Sequence, residues 1–249
     1  MGVTRGSQDP GLQDGLIFCF DPKNRDCWSG GVSKITNIAM PTHSGSCDNF
    51  DTDETAGAIT TEGYFDYDGG NDKLTFGKDL NSYLTVDKPF SFCGWVNTNE
   101  AGTNQHILGN NEDTGITDPL RGSQLRITSG NKLRITLIQD GDQFFITDSS
   151  GISTSTWYFA VGTYDGLEST TKIYVNGVLD NQSAFNNIGS NTIDSTWPLI
   201  IGSADKEGTG DNPPQDFNGK IGPCMIYNRE LSAEEILQNY NSQKARFGL

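Results

Sequence analysis

The chain has 249 residues, 34% hydrophobic content, 30 glycines and a formal net charge of −15. So acidic a chain has little Lys and Arg with which to displace counterions, which argues against nucleic acid and anionic membranes as partners. Its length allows a substantial core without disulfide staples, and its many Gly, Asn, Asp, Ser and Thr residues imply many turns.

Residues 1–14 are polar and Gly-rich and read as an arm. No apolar run occurs there, so neither a signal peptide nor a membrane span is read in it, and a chain made in a cytoplasm is expected. Residues 15–21 read as the first strand, broken by Asp21-Pro22. Residues 22–62 show few strand patterns, and a loop of that length is expected to serve function or contact. It carries DNFDTDE at 48–54; the sixth position counted from Asp51 is Ala56, where an EF-hand has Gly. A solvated acidic loop is the expectation.

Residues 64–68 and 73–76 read as a pair of strands. Residues 90–97 place two Phe on one face and Trp95 on the other. Stretches 105–109, 124–128, 132–139 and 143–147 continue the series, with tight turns expected at Gly130-Asn131 and Gly141-Asp142. Over 156–180, Trp157, Phe159, Val161 and Thr163 alternate with Tyr158, Ala160 and Gly162, and Asn176-Gly177 signals a type I′ turn. Residues 197–202 read as a strand. The loop 203–215 contains two prolines and cannot be one. Residues 220–227 close the series. Ser232 with Glu235 forms a capping box, opening a helix from 233 to about 244. Its stripe of Ile236, Leu237 and Tyr240 is expected to cover one end of a sandwich.

Short strands with turn signals between them predict an all-β fold. Several segments resemble, in order, the laminin-G-like, concanavalin A-like lectin/glucanase sandwich. They are GLIFCFD at 15–21, YFDYDGGNDKL at 64–74, PFSFCGWV at 89–96, WYFAVGTYDG with KIYVNG over 157–177, and FNGKIGPCMIYNRELS at 217–232. The resemblance implies a concanavalin A-like jelly-roll of two antiparallel sheets over 15–231, with a helix and tail, 232–249, packed on it. The ending, L-S-x-E-E-I-x-Q-N then R-F-G, is similar to laminin-G-like proteins of tailed phages of marine and cyanobacterial hosts.

The resemblance also implies a structural calcium (Ca2+) at one edge of the sandwich. Its ligands would be a carboxylate after the first strand, groups from the N-D segment and an Asp early in the closing strand. The matching positions are Asp21, Asn71 or Asp72, and Gly222, so one oxygen is missing. Glucanases of this fold carry E-x-D-x-E on one strand, and nothing like it occurs here. His43 and His106 read as surface residues. No catalytic residue is therefore assigned. Trp28, Tyr83 and Trp197 flank loops and are candidates for glycan contact. Of five cysteines, Cys19, Cys93 and Cys224 read as buried thiols, and Cys27 and Cys47 lie in loops where a disulfide is one option.

The first functional reading is a non-enzymatic structural protein on the surface of a bacteriophage virion, a capsid decoration subunit. The arm and the 36–61 loop would grip capsid or a neighbouring copy. The alternative is a carbohydrate-binding module for a host surface glycan. A glycan hydrolase ranks third.

Overall fold

A computed structural model describes residues 13–30, 34–51, 53–55, 62–111, 121–139, 143–166, 169–185, 195–204 and 215–249. Two antiparallel sheets face each other. One sheet orders β1 (Leu16–Phe20), β15 (Asn218–Tyr227), β6 (Phe90–Thr98), β11 (Tyr158–Tyr164), β12 (Thr170–Val175) and β13 (Val178–Ala184), with β4 (Phe65–Asp68) also on β15. The other orders β10 (Gln143–Asp148), β9 (Leu133–Gln139), β8 (Gly122–Ile127), β7 (Gln105–Gly109), β14 (Ile200–Ile201), β5 (Lys73–Phe76), β3 (Ser44–Asp48) and β2 (Ile35–Thr36). Neighbours distant in sequence, such as β1 beside β15, make this a jelly-roll sandwich and match the expected fold class. No helix among the described residues is long and apolar enough to cross a membrane.

Alternation explains the layering. Phe90, Phe92 and Val96 of β6 point between the sheets, where they join Phe18, Phe20, Phe65, Leu108, Ile135 and Ile173 in one core. Cys93 and Trp95 point the other way into a second cluster with Phe159, Tyr227, Ile236 and Phe247. The middle of the first sheet is thus buried on both faces, and every residue of β6 is buried, while the edge strand β13 is exposed.

The cover on that second face is α1 (Ala233–Gln243) and the 3₁₀ turn Lys244–Phe247. Ser232 and Glu235 make the capping box in full. The helix therefore lies across a sheet face and not over one end, because Trp95 and Phe159 offer a flat aromatic floor there. Leu237 of the expected stripe stays 42% exposed, whereas Asn239 is buried with its Nδ2 donating to the Tyr227 hydroxyl at 3.1 Å.

Two other expectations change. β4 and β5 do not pair; β4 joins β15 while β5 joins β3 and β14, so residues 69–72 carry the chain from one sheet to the other. The long 22–62 segment contributes β2 and β3 to the edge of the second sheet. Its SGSCD stretch lacks the alternation of large apolar residues that marks a strand. The strand read at 197–202 narrows to Ile200–Ile201. The type I′ turn forms as read, with φ of 52° at Asn176 and 83° at Gly177. The Gly141-Asp142 turn, residues 1–12 of the arm and most of the 203–215 loop lie outside the described residues.

All five cysteines are free and buried, so Cys27 and Cys47 are not bonded to each other. The Cys27 sulfur instead accepts the Asp21 N–H at 3.2 Å. Burial pushes the Cys27 and Cys47 thiols up to about 12. Thiolate is the reactive form. A disulfide-exchange reagent at pH 8 is expected to label essentially no thiol in native protein and all five after denaturation. Fast labelling of Cys27 or Cys47 without denaturant would contradict the buried placement.

Candidate functional site

The crossing at 69–72 builds an acidic corner. The Asp68 carboxylate accepts the Gly70 N–H at 2.6 Å, and Asp72 Oδ2 accepts the Asp68 N–H at 2.9 Å. The first is an Asx-turn bond, as a D-G-G-N-D stretch favours, and the second reaches back four residues to close the crossing. The acidic loop comes back beside β4, where the Glu54 carbonyl accepts the Asp66 N–H at 2.9 Å. Glu54, Asp68 and Asp72 then each offer a carboxylate oxygen within 4.8 Å of the others. The expectation of a merely solvated loop fails for Glu54, because a backbone bond pins it to a strand.

Beside this trio lies an open pocket of about 260 Å³, lined by Asp53, Glu54, Asp66, Tyr67, Asp68, Asn99 and Asn218. Its floor is rigid. Asn99 N–H donates to the Asn218 carbonyl at 2.9 Å, at the meeting of β6 and β15. Gln105 is fully buried, and its Oε1 accepts the Asn218 N–H at 3.1 Å and the Thr98 hydroxyl at 3.0 Å. A buried amide with its bonds made holds its neighbours in one arrangement. Chemically, the pocket offers carboxylate acceptors and amides that both donate and accept.

Asp72 is only 3% exposed. Burial raises its carboxyl to about 7, and the charges of Asp68 and Glu54 push the same way against a lowering bond from the Asp68 N–H. An ordinary carboxyl ionises near ~4 in the unfolded chain. The folded value is higher, so this stabilising contribution is complete below ~4 and is lost as pH rises through about 7. Asp72→Asn mimics the protonated state and can keep the bond from Asp68. It is expected to raise Tm at pH 8 by roughly 3–6 °C and to have little effect at pH 4, by thermal unfolding. Equal shifts at both pH values would show that Asp72 does not hold a proton there.

The residues anticipated from sequence are not gathered in this corner. Asp21 binds Arg246 bidentately at 2.6 and 2.7 Å. Gly222 faces filled space, since a Cβ there would lie 3.1 Å from Phe247 Cζ and 3.2 Å from Trp95 Cβ. Asn71 is exposed, and its carbonyl accepts from Asn49 at 2.8 Å. Only Asp72 of the anticipated set joins the acidic trio. With Asp21 neutralised by a guanidinium and Gly222 packed under a ring, the anticipated residues do not fit a shared calcium ion.

The aromatics separate similarly. Trp28 is 7% exposed and packs edge-on to Phe65 at 5.2 Å, as a core residue. Tyr83 and Trp197 are half-buried on adjoining segments, linked by Asn81, whose Nδ2 donates to the carbonyls of Ser195 at 2.7 Å and Trp197 at 2.9 Å. They lie at the far end of β5 from the acidic corner. His106 is not on the surface. It is 1% exposed, between Gln124 Oε1 at 3.3 Å and the Ile200 carbonyl at 3.2 Å, and burial lowers it to about 4. Its strand lies in mid-sheet, between β8 and β14, which the reading as a surface residue missed. His43 sits 3.5 Å from Asp79 at the surface.

Two facing antiparallel sheets with jelly-roll crossovers and a polar corner pocket define a lectin-type sandwich. The family model described as the concanavalin A-like lectin/glucanases superfamily, of laminin G type, matches residues 68–237, and the chain belongs to that family. No protein with a curated description matches it in sequence. Among solved structures it is similar to the receptor binding domain of botulinum neurotoxin D, at 16% identity and a TM-score of 0.65, covering 93% of this chain and 53% of that one. It is also similar to the binding domain of Paraclostridial Mosquitocidal Protein 1, at 14% identity and a TM-score of 0.63, with 93% and 53% covered. Trypanosoma rangeli sialidase in complex with sialic acid follows at 13% identity and a TM-score of 0.63, with 93% and 33% covered. The chain thus spans about half of the toxin domains and a third of the sialidase.

Proposed function

We propose that this chain is a non-catalytic binding module that takes a hydroxyl-rich glycan at the corner pocket. The observation behind this reading is the pocket lining: exposed Asp68 with Asn99 and Asn218 on a floor fixed by Gln105. Carboxylates and amides suit sugar hydroxyls, which both donate and accept. The fold class supports it, as do proteins of similar shape, a receptor binding domain of a neurotoxin and a sialidase in complex with sialic acid.

The absence of turnover is part of the proposal. A glycosidase needs an acid and a second carboxylate reaching opposite sides of one bond. Asp72 is the carboxyl with its proton held near neutral pH, and it is buried behind Asp68, out of a sugar's reach. Glu54 is half-buried.

A glycan array with the intact protein tests the reading. Binding is expected to fall at least tenfold in Asn218→Ala and Asp68→Asn with Tm little changed. Array binding that both variants retain would place the ligand elsewhere.

A second reading concerns setting. The chain serves on the surface of a tailed-phage particle, as decoration or receptor-contact subunit, supported by its −15 charge and its L-S-x-E-E-I-x-Q-N and R-F-G ending. Contacts to capsid or to further copies belong to this reading as proposals. Quantitative mass spectrometry of purified particles is expected to find the chain in many copies; its absence would remove the reading.

A further inference from the structure

We infer that the guanidinium of Arg246 is the resident cation of an oxygen-lined site at one edge of the sandwich, standing where the family resemblance implies a metal ion. This is independent of the glycan reading. Both Asp21 carboxylate oxygens accept from Arg246, at 2.6 and 2.7 Å. The Gly63 carbonyl accepts from Nη2 at 2.8 Å, and the Glu62 carbonyl accepts the Nε–H. Four oxygens from two separate segments therefore converge on one positive group. The Arg246 and Asp21 side chains are only 12% and 15% exposed. Carboxylate and backbone carbonyls are the hard donors that calcium takes.

The backbone is shaped for this occupant. Gly63 has φ +66°, and a Cβ there would lie 2.1 Å from Arg246 Nη2. Only glycine lets the chain approach the guanidinium so closely. The next residue, Phe247, fills the place beside Gly222, the other position where the resemblance implies a ligand. Two consecutive residues of the tail thus occupy both ends of the implied site. The chain keeps the corner neutral with its own cation and ties its C-terminal segment to the start of the sandwich.

An ordinary ion pair and a filled cation site differ in what the corner does once vacated. Thermal unfolding in EDTA and in millimolar calcium is measured for wild type, Arg246→Ala and the Asp21→Asn/Arg246→Ala double variant. Removing one partner of a buried pair strands the other, so Arg246→Ala is expected to lose roughly 10 °C in Tm in EDTA. Calcium is expected to return several degrees of that, because an ion bound only to the native state raises Tm. The double variant is expected to lose this return. Any calcium response of the acidic trio at Glu54, Asp68 and Asp72 is common to all three proteins and cancels. Should Arg246→Ala not fold, Arg246→Gln, which keeps most of the stem, takes its place in the comparison. A calcium shift in the single variant no larger than in wild type, or a Tm unchanged by the substitution, overturns the inference.

Discussion

Phe247→Ala is expected to lower stability by about 3–5 kcal/mol, near the top of the range for a point change. Phe247 lies in the tail beyond the helix, and its ring stacks on Trp95 at 4.3 Å and meets Trp157 at 4.4 Å. Trp95 is fully buried, with Tyr240 of the helix on its ring at 5.8 Å. Removing the ring forfeits its transfer energy and leaves a void that stacked indoles cannot close. Thermal unfolding should show a Tm drop of roughly 10 °C. Tryptophan emission should shift to the red, since Trp95 and Trp157 lose their cover. Unchanged emission with unchanged Tm would mean that the tail does not seal this face.

Gly202→Ala is expected to cost about 2–5 kcal/mol, from two separate causes. The residue has φ +92°, where an L side chain is strained, and its Cβ would fall 2.0 Å from Tyr67 Cε1. Neither side can yield easily. Gly202 is tied by its N–H to the Ile107 carbonyl at 3.1 Å and accepts from Phe217 N–H at 2.7 Å. Tyr67 is wedged against Phe50 at 4.9 Å and Phe217 at 5.9 Å. Gly102→Ala is the control, because it has φ +86° with nothing within 4 Å of its Cβ. It should show only the backbone strain, about 1–2 kcal/mol. Equal losses at both sites, in denaturant titration, would remove the packing clash from the account.

The core strands were legible because their alternation is strong. In β6 and β11 successive side chains alternate between the two faces and large apolar residues stand on both, and the Asn176-Gly177 turn fixes its hairpin by chemistry alone. β3 was not legible, since Ser44–Asp48 owes its pairing to a neighbour, β5, and not to its own pattern. The partner of β4 was misread for a related reason. A short D-G-G-N-D link looks like a hairpin, while the choice between turning back and crossing to the other sheet is made by long-range packing. That crossing is what creates the acidic corner. Asp72 stood out from its place in a motif, but Glu54, Asn99 and Asn218 come from three other segments, and no local signal brings them together. Asp21 stood out as a carboxylate after the first strand, where the resemblance implies a metal ligand. Its partner is Arg246, 225 positions away, which no spacing rule would find.

The corner pocket as a glycan seat is the central claim, and a crystal structure of the protein with its best array glycan tests it most directly. The account predicts an intact sugar with hydroxyls within hydrogen-bond distance of Asp68, Asn99 and Asn218, and Asp72 still buried beneath them. A sugar bound elsewhere on the sandwich, or one cleaved at this corner, would contradict it.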